Sequence, residues 1–279
     1  MAEKAALEMT VERAQGGDRA ALEAVVRVVQ RDIYNLALRF LWHPQDAEDA
    51  SQEIMIRVLT GLGGFQGKSA FRTWVYRIAC NALLTLRKQR MEQHSVSFEE
   101  FGEDLASGLS DAASNEEPNA ERQLLLEEVR IGCTLAMLLC LDRDHRMAYI
   151  LGEIVELDHN EAAEILEITP TAFRKRLSRA RAAVTSFMLS HCSLAEPQNA
   201  CRCNRRVDTA QRLGRVDPSG LHFASSLEQA KRFPQVLAEI RRLEGTRRAA
   251  AIYRAQARHE PSDAFATWLK GLLDETAQH

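Results

Sequence analysis

No run of apolar residues in this sequence is longer than the seven from Leu135 to Leu141, about a third of the roughly 20 that a bilayer span requires. The opening residues, MAEKAALEMT, lack the basic-then-apolar layout of a secretory leader. A cytoplasmic protein without membrane insertion is the expectation. Proline is scarce, with seven in 279 residues, and alternating runs of β-branched residues are absent, which removes the signals of sandwiches and barrels. Aromatics are few and the net charge is only −3, so partners cannot be read from overall charge and must be sought segment by segment. What is present, with 46% apolar and 27% charged residues, is helix-forming composition. An all-α protein is expected, long enough for about two or three small domains.

The stretch from Phe65 to Arg90, FQGKSAFRTWVYRIACNALLTLRKQR, predicts a helix with Ser69 as its cap. Phe71, Trp74, Val75, Ile78, Ala82 and Leu86 recur at helical spacing and form a stripe that seeks a core. The other face carries Arg72, Thr73, Tyr76, Arg77, Asn81, Thr85 and Lys88. Cations beside ring edges suit single-stranded nucleic acid, because cations meet phosphates and rings stack on bases. A solvated face on a core helix is the alternative. The preceding loop ends in Gly67, Lys68 and Ser69, as a nucleotide-binding loop does, but Leu62 stands where that motif requires glycine and a helical pattern precedes it.

Upstream, Leu22, Val25, Val26, Val29, Ile33, Leu36 and Phe40 predict a long core helix or a bent pair, ended by Pro44. DAEDASQE then opens a second helix, with Ala50, Ile54 and Val58 inward and Asp49, Gln52, Glu53 and Arg57 outward. Its carboxylates suit a helix N-terminus, or an acidic strip for a basic partner. Residues 92–121 hold nine Asp or Glu and no Lys or Arg. They read as a flexible acidic linker between domains 1–91 and 122–189.

In the second domain, Ala162, Ala163, Ile165 and Leu166 mark a short helix and Glu167 and Ile168 a tight turn. Thr169 and Pro170 start a second helix with proline at its first position. Phe173, Leu177, Ala180 and Val184 share one face, and Arg174, Lys175, Ser178, Arg179 and Arg181 the other, with Arg176 beside them. This pattern matches a helix-turn-helix, whose second helix enters the DNA major groove. Thr171, Ala172, Arg174 and Lys175 would meet base edges, while Arg176, Ser178, Arg179 and Arg181 would hold phosphates.

Residues 190–279 form a third region with His191, Cys192, Cys201 and Cys203, enough ligands for a tetrahedral zinc site, though Cys-x-Cys is tight. Structural zinc, a thiol redox switch and ordinary thiols all stay open. Cys80, Cys133 and Cys140 read as core. After a loop rich in Arg, Asp and Gly, helices are expected around Leu227–Leu243, Arg247–Arg258 and Asp263–Leu273. Trp268, Leu269, Leu272 and Leu273 would give them a small bundle of their own.

DAEDASQEIMIRVL followed by GFQGKSAFRTWVYRIACNALLTLRKQR, with the Leu141–Val184 segment, resembles the second and fourth regions of bacterial RNA polymerase sigma factors of the extracytoplasmic-function class. The resemblance implies a non-enzymatic transcription initiation factor needing no cofactor, whose partners are core RNA polymerase, promoter DNA and an anti-sigma factor. Asp46, Asp49, Gln52 and Glu53 would dock on a coiled coil of the polymerase. Phe65, Lys68, Ser69, Arg72, Tyr76, Arg77 and Asn81 would grip the melted −10 element, and the helix-turn-helix would bind the −35 duplex. The linker would run through the polymerase channel, and the region beyond 190 would act in control. A stand-alone helix-turn-helix regulator is the alternative.

Overall fold

The computed structural model of the chain describes residues 2–86, 96–109, 119–256 and 258–276. Among these every regular element is helical, apart from an isolated bridge between Cys192 and Cys201. The chain divides into two compact units. One comprises residues 1–87, 158–172 and 258–279, the other residues 88–157 and 173–257. Neither is a continuous stretch of sequence.

The first unit opens with α1 (Ala2–Gln15), which the apolar pattern does not announce, and α2 (Arg19–Leu41). The α2 stripe forms one helix rather than a bent pair, capped where Asp18 accepts from the Ala21 N–H at 3.0 Å. It buries Val25, Val29, Ile33, Leu36 and Phe40. Next, α3 (Pro44–Gly61) has proline in its first turn and buries Ala50, Ile54 and Val58, the face expected. A 3₁₀ turn, Leu62–Gly64, leads to α4 (Phe71–Thr85).

Ser69 does not cap α4. The helix starts from Ala70 with no side-chain cap, and the Phe71 N–H instead donates to Glu8 of α1 at 3.0 Å. A carboxylate brought from a distant helix meets the positive end of the dipole more strongly than a local hydroxyl. The buried set of α4 is Phe71, Thr73, Val75, Ala79, Cys80, Ala82 and Leu83. Lys88 and the basic run to Arg90 lie outside the described residues.

Two further segments complete this unit. The short α8 (His159–Ile165) packs on α4, where Thr73 donates to Glu161 at 2.8 Å. That contact explains why Thr73, assigned to the solvent face, is buried. The C-terminal α13 (Asp263–Thr276) buries Phe265 and Leu269 and packs on α3, so the expected separate C-terminal bundle does not form. The approach to α13 is polar. Asn35 donates to the His259 carbonyl and accepts from its N–H, at 2.8 and 2.9 Å. Glu48 accepts from the backbone and hydroxyl of Ser262.

The second unit contains α5 (Phe98–Ser107), α6 (Ala120–Leu138), α7 (Arg143–Tyr149) with a π-helical turn at Ile150–Ile154, α9 (Pro170–His191), α10 (Cys203–Arg212), α11 (Leu227–Ile240) and α12 (Gly245–Arg254). The first three residues of α9 belong to the first unit. The acidic segment is ordered in part. Ser97 and Glu100 make a reciprocal capping box that starts α5, and Phe98 and Phe101 pack on Phe187 at 5.2 and 5.6 Å between ring centroids. Two aromatics among the acids supply the burial that composition alone hides; residues 92–95 and 110–118 of that segment lie outside the described residues. Helix α10 falls where a loop was expected. Its Val207 and Ala210 join Leu125 and Val129 of α6 in one apolar cluster.

Candidate nucleic-acid interface

The turn of the helix-turn-helix is built as the sequence suggests. After α8, the Ile168 N–H donates to the Ala163 carbonyl at 3.0 Å, and the Ala172 N–H donates to the Thr169 hydroxyl at 3.2 Å, capping α9 ahead of Pro170. Glu167 sits between them at φ 54, in the left-handed region that favours glycine. On α9, Phe173, Leu177, Ala180 and Val184 are buried, as the stripe requires. Leu177 packs so closely on Gly152 that a Cβ there would lie 2.7 Å from it.

Along the outer face of α9, Thr171, Arg174, Lys175, Ser178 and Arg179 are exposed and Ala172 is half-buried. Two other residues assigned to phosphates are engaged internally. Arg176 pairs with Asp144 at 2.8 Å, and Arg181 holds Glu153, whose side chain is only 12% exposed. A guanidinium that neutralises a nearly buried carboxylate is held by the cost of leaving that charge unpaired, so Arg181 anchors α9 to the turn after α7, whereas the Arg176 pair with the exposed Asp144 is a weak surface contact.

Around α4, the rings of Phe65, Phe71 and Trp74 form a cluster with centroids 5.3 to 5.6 Å apart. Phe71 is its buried floor, and Phe65 and Trp74 are half-buried. Lys68, Arg72 and Asn81 are exposed; Ser69, Tyr76 and Arg77 are half-buried. Desolvation pushes the Tyr76 hydroxyl well above its ordinary pKa, so the ring is neutral at working pH. Arg72 lies 3.6 Å from Asp32, a nearly buried carboxylate that also holds Arg258 at 2.9 Å. Arg77 pairs with Glu164 of α8 at 2.8 Å. Sequence reasoning missed both acidic partners, because nothing local links position 32 to 72 or 164 to 77.

On α3, Asp49 and Glu53 are exposed and Asp46 and Gln52 half-buried. They form an acidic strip along one side, with Arg57 one turn beyond, paired to Glu53.

Among the four candidate zinc ligands, Cys192 and Cys201 are brought side by side, while His191 is held by an aromatic ring. His191 stacks on Phe187 with 4.4 Å between centroids, bonds the Phe187 carbonyl at 3.1 Å, and lies against Gly102 of α5. Among the described residues no three His, Cys, Asp or Glu side chains are arranged to hold a metal ion. Cys192 and Cys201 are bridge partners, with the Ser193 N–H donating to the Cys201 carbonyl at 3.1 Å. Burial raises the Cys201 thiol to about 11 and Cys203 to about 12, so both are neutral thiols at working pH and poor nucleophiles.

Residues 25–92 match the family described as Sigma-70 region 2, and residues 131–184 match Sigma-70, region 4. The RNA polymerase sigma-H factor of Pseudomonas aeruginosa is 34% identical over 182 residues, covering 63% of this chain and 91% of that protein. The ECF RNA polymerase sigma-E factor of Escherichia coli K12 is 34% identical over 187 residues, covering 66% and 95%. About two-thirds of this chain thus accounts for nearly all of each relative. A solved structure of CnrH in complex with the cytosolic domain of CnrY aligns at 21% identity and a TM-score of 0.45, over 64% of this chain and 95% of that one, a likeness too slight to place any residue. No described helix is long and apolar enough to cross a membrane.

Proposed function

The chain belongs to the extracytoplasmic-function sigma factors, DNA-binding factors of transcription initiation, and on that premise we propose that it directs core RNA polymerase by reading the −10 element as melted strand and the −35 element as duplex. The single observation that carries the duplex half is the exposed row Arg174, Lys175, Ser178 and Arg179 on α9, backed by a fully buried stripe. Thr171 and Ala172, at the N-terminal turn of α9, are assigned to base edges, because recognition helices read bases from that turn. Arg181, paired with the nearly buried Glu153, is better assigned to holding that helix in place, and Arg176 must exchange the exposed Asp144 for phosphate to take part.

The melted strand is assigned to the exposed Lys68, Arg72 and Asn81 and to the half-buried rings of Phe65 and Tyr76. Unstacking a base costs a few kcal/mol, offset by about 1–3 kcal/mol for each base that stacks on a ring. Arg77 must exchange Glu164 for phosphate to take part. The acidic strip of α3 is the proposed polymerase dock. The protein contributes affinity and specificity, and RNA synthesis belongs to the polymerase.

Transcription in vitro with purified core polymerase tests the assignment. The full chain is expected to start RNA at defined promoters. Lys175→Ala or Arg179→Ala should weaken upstream protection about tenfold, while Lys68→Ala should slow permanganate reactivity of the opened bases with upstream protection retained. Promoter DNA shifted by the chain alone, with no polymerase dependence, would instead identify a free-standing regulator.

A further inference from the structure

Within the second unit, α6, α11 and the segment around Leu194 line a half-open pocket of about 610 Å³, inside the roughly 300–1,000 Å³ range of small-molecule sites. It exists because α11 buries so little. Of its residues Ile240 alone is fully buried, and Pro234 interrupts the helix. An amphipathic helix that stands off its neighbour leaves its apolar side facing a gap.

The walls are mainly apolar, with Leu126 and Leu194 on one side and Phe233 and Leu237 from α11 on the other. The charged lining is unbalanced, with Arg130, Arg202, Lys231 and Arg241 against the single carboxylate of Glu127. Arg130 is the unusual member. It is 3% exposed, gives Nε and Nη2 to Glu127, and lies with its Cζ 3.6 Å from the centroid of the Phe233 ring. Its Nη1 has no hydrogen-bond partner. A buried donor left unmade carries a full desolvation penalty, and a guanidinium edge is shaped for a carboxylate. Cys203, also in the lining, stays a neutral thiol and adds no competing charge.

We propose that this cavity binds a small monoanionic amphiphile, an alkyl carboxylate of medium chain length, with its head on the cationic side and its chain between Leu126, Leu194 and Leu237. A multiply charged, strongly hydrated anion would forfeit too much solvation against such walls. The ligand completes packing that α11 lacks, so binding tightens α11 on α6. Arg202, Lys231 and Arg241 are exposed and gather the anion at the mouth.

Titration of the full-length protein with sodium decanoate, followed by calorimetry and thermal melting, tests this apart from any transcription assay. One saturating site with a micromolar Kd is expected, with a melting temperature that rises with the logarithm of ligand concentration above that Kd. Decanol, without the charge, should bind at least tenfold more weakly. Leu237→Trp should fill the cavity and abolish saturation, and the paired surface changes Lys231→Ala and Arg241→Ala should weaken binding about tenfold. If Leu237→Trp melts well below the parent, the paired variant decides alone. No saturation by about 1 mM, decanol binding as tightly as decanoate, or undiminished binding in a folded Leu237→Trp overturns the proposal. So does capture by phosphatidylglycerol vesicles without binding of free decanoate, which would point to a membrane surface.

Discussion

Glu167 occupies a backbone conformation that a glycine would adopt without strain. Glu167→Gly should therefore stabilise the turn by about 0.5–1 kcal/mol, less than the strain removed because glycine also loosens the unfolded chain. A melting temperature that falls on this change would show that the Glu167 side chain holds something the turn needs. Tyr149 and Tyr253 meet edge to face at 5.7 Å, both fully buried, and neither hydroxyl has a hydrogen-bond partner. Because an unmade buried hydroxyl is a cost, Tyr149→Phe and Tyr253→Phe should each be neutral to about 1 kcal/mol stabilising, read by urea unfolding. The turn position was legible from spacing around Thr169 and Pro170, whereas the tyrosine pair, about a hundred residues apart in sequence, was not.

Among the elements, α5 shows how an acidic segment becomes structure. Asp104 accepts from Arg206 at 2.9 Å and from both terminal nitrogens of Arg215 at 2.7 and 2.8 Å, while Gly108 leaves the space that the Arg206 guanidinium fills. The Arg215 hydrogen bond, foremost, holds the Asp104 carboxyl below its ordinary 3.8. A carboxyl depressed on folding stabilises above its unfolded pKa and loses that contribution as pH falls through the folded value. The docking of α5 should thus be pH-independent above about pH 5 and weaken below about pH 4. Asp104→Asn should cost about 2 kcal/mol at neutral pH, since Arg206 is 7% exposed on its side chain and keeps only carbonyl acceptors. Amide exchange of residues 98–107 would register the loss; unchanged protection would mean that the Phe98 and Phe101 contacts suffice. Helices α2, α3 and α9 were readable because each carries an uninterrupted apolar stripe. Helix α10 was not, because its inward face includes Arg206, a residue that buries only when a partner arrives from elsewhere.

For the molecule as a whole, the region beyond residue 190 is divided between the two compact units at residues 257 and 258. Ending the chain at Gln256 removes Arg258 from Asp32, His259 from Asn35, Ser262 from Glu48 and the apolar face of α13 from α3. The first unit should lose about 2–4 kcal/mol, the sum of a buried carboxylate left with the more distant Arg72 and the exposed apolar area. Affinity for core polymerase should stay within about threefold, since Asp49 and Glu53 are exposed with α13 in place. Differential scanning calorimetry and a core-binding titration check the two halves separately. A large rise in polymerase affinity would make the C-terminal helix a mask for the α3 strip.

Taken alone, the sequence determined everything that depends on neighbours a few positions apart: the helical class, the buried stripes of α2, α3 and α9, the turn before Pro170, and the family motifs in their order. Periodicity is local, so it survives without coordinates; a cap does so only when its residue is a neighbour, which the Glu8 carboxylate at the start of α4 is not. Only the tertiary structure decided which charges are available. Arg77, Arg176 and Arg181 look alike on a helical wheel to Arg179, yet each faces a carboxylate from a distant segment. It likewise decided that His191 stacks on a phenylalanine, and that the last helix joins α3. Long-range pairing of charge and apolar surface has no signal at helical spacing, because its partners are set by how the chain folds back on itself.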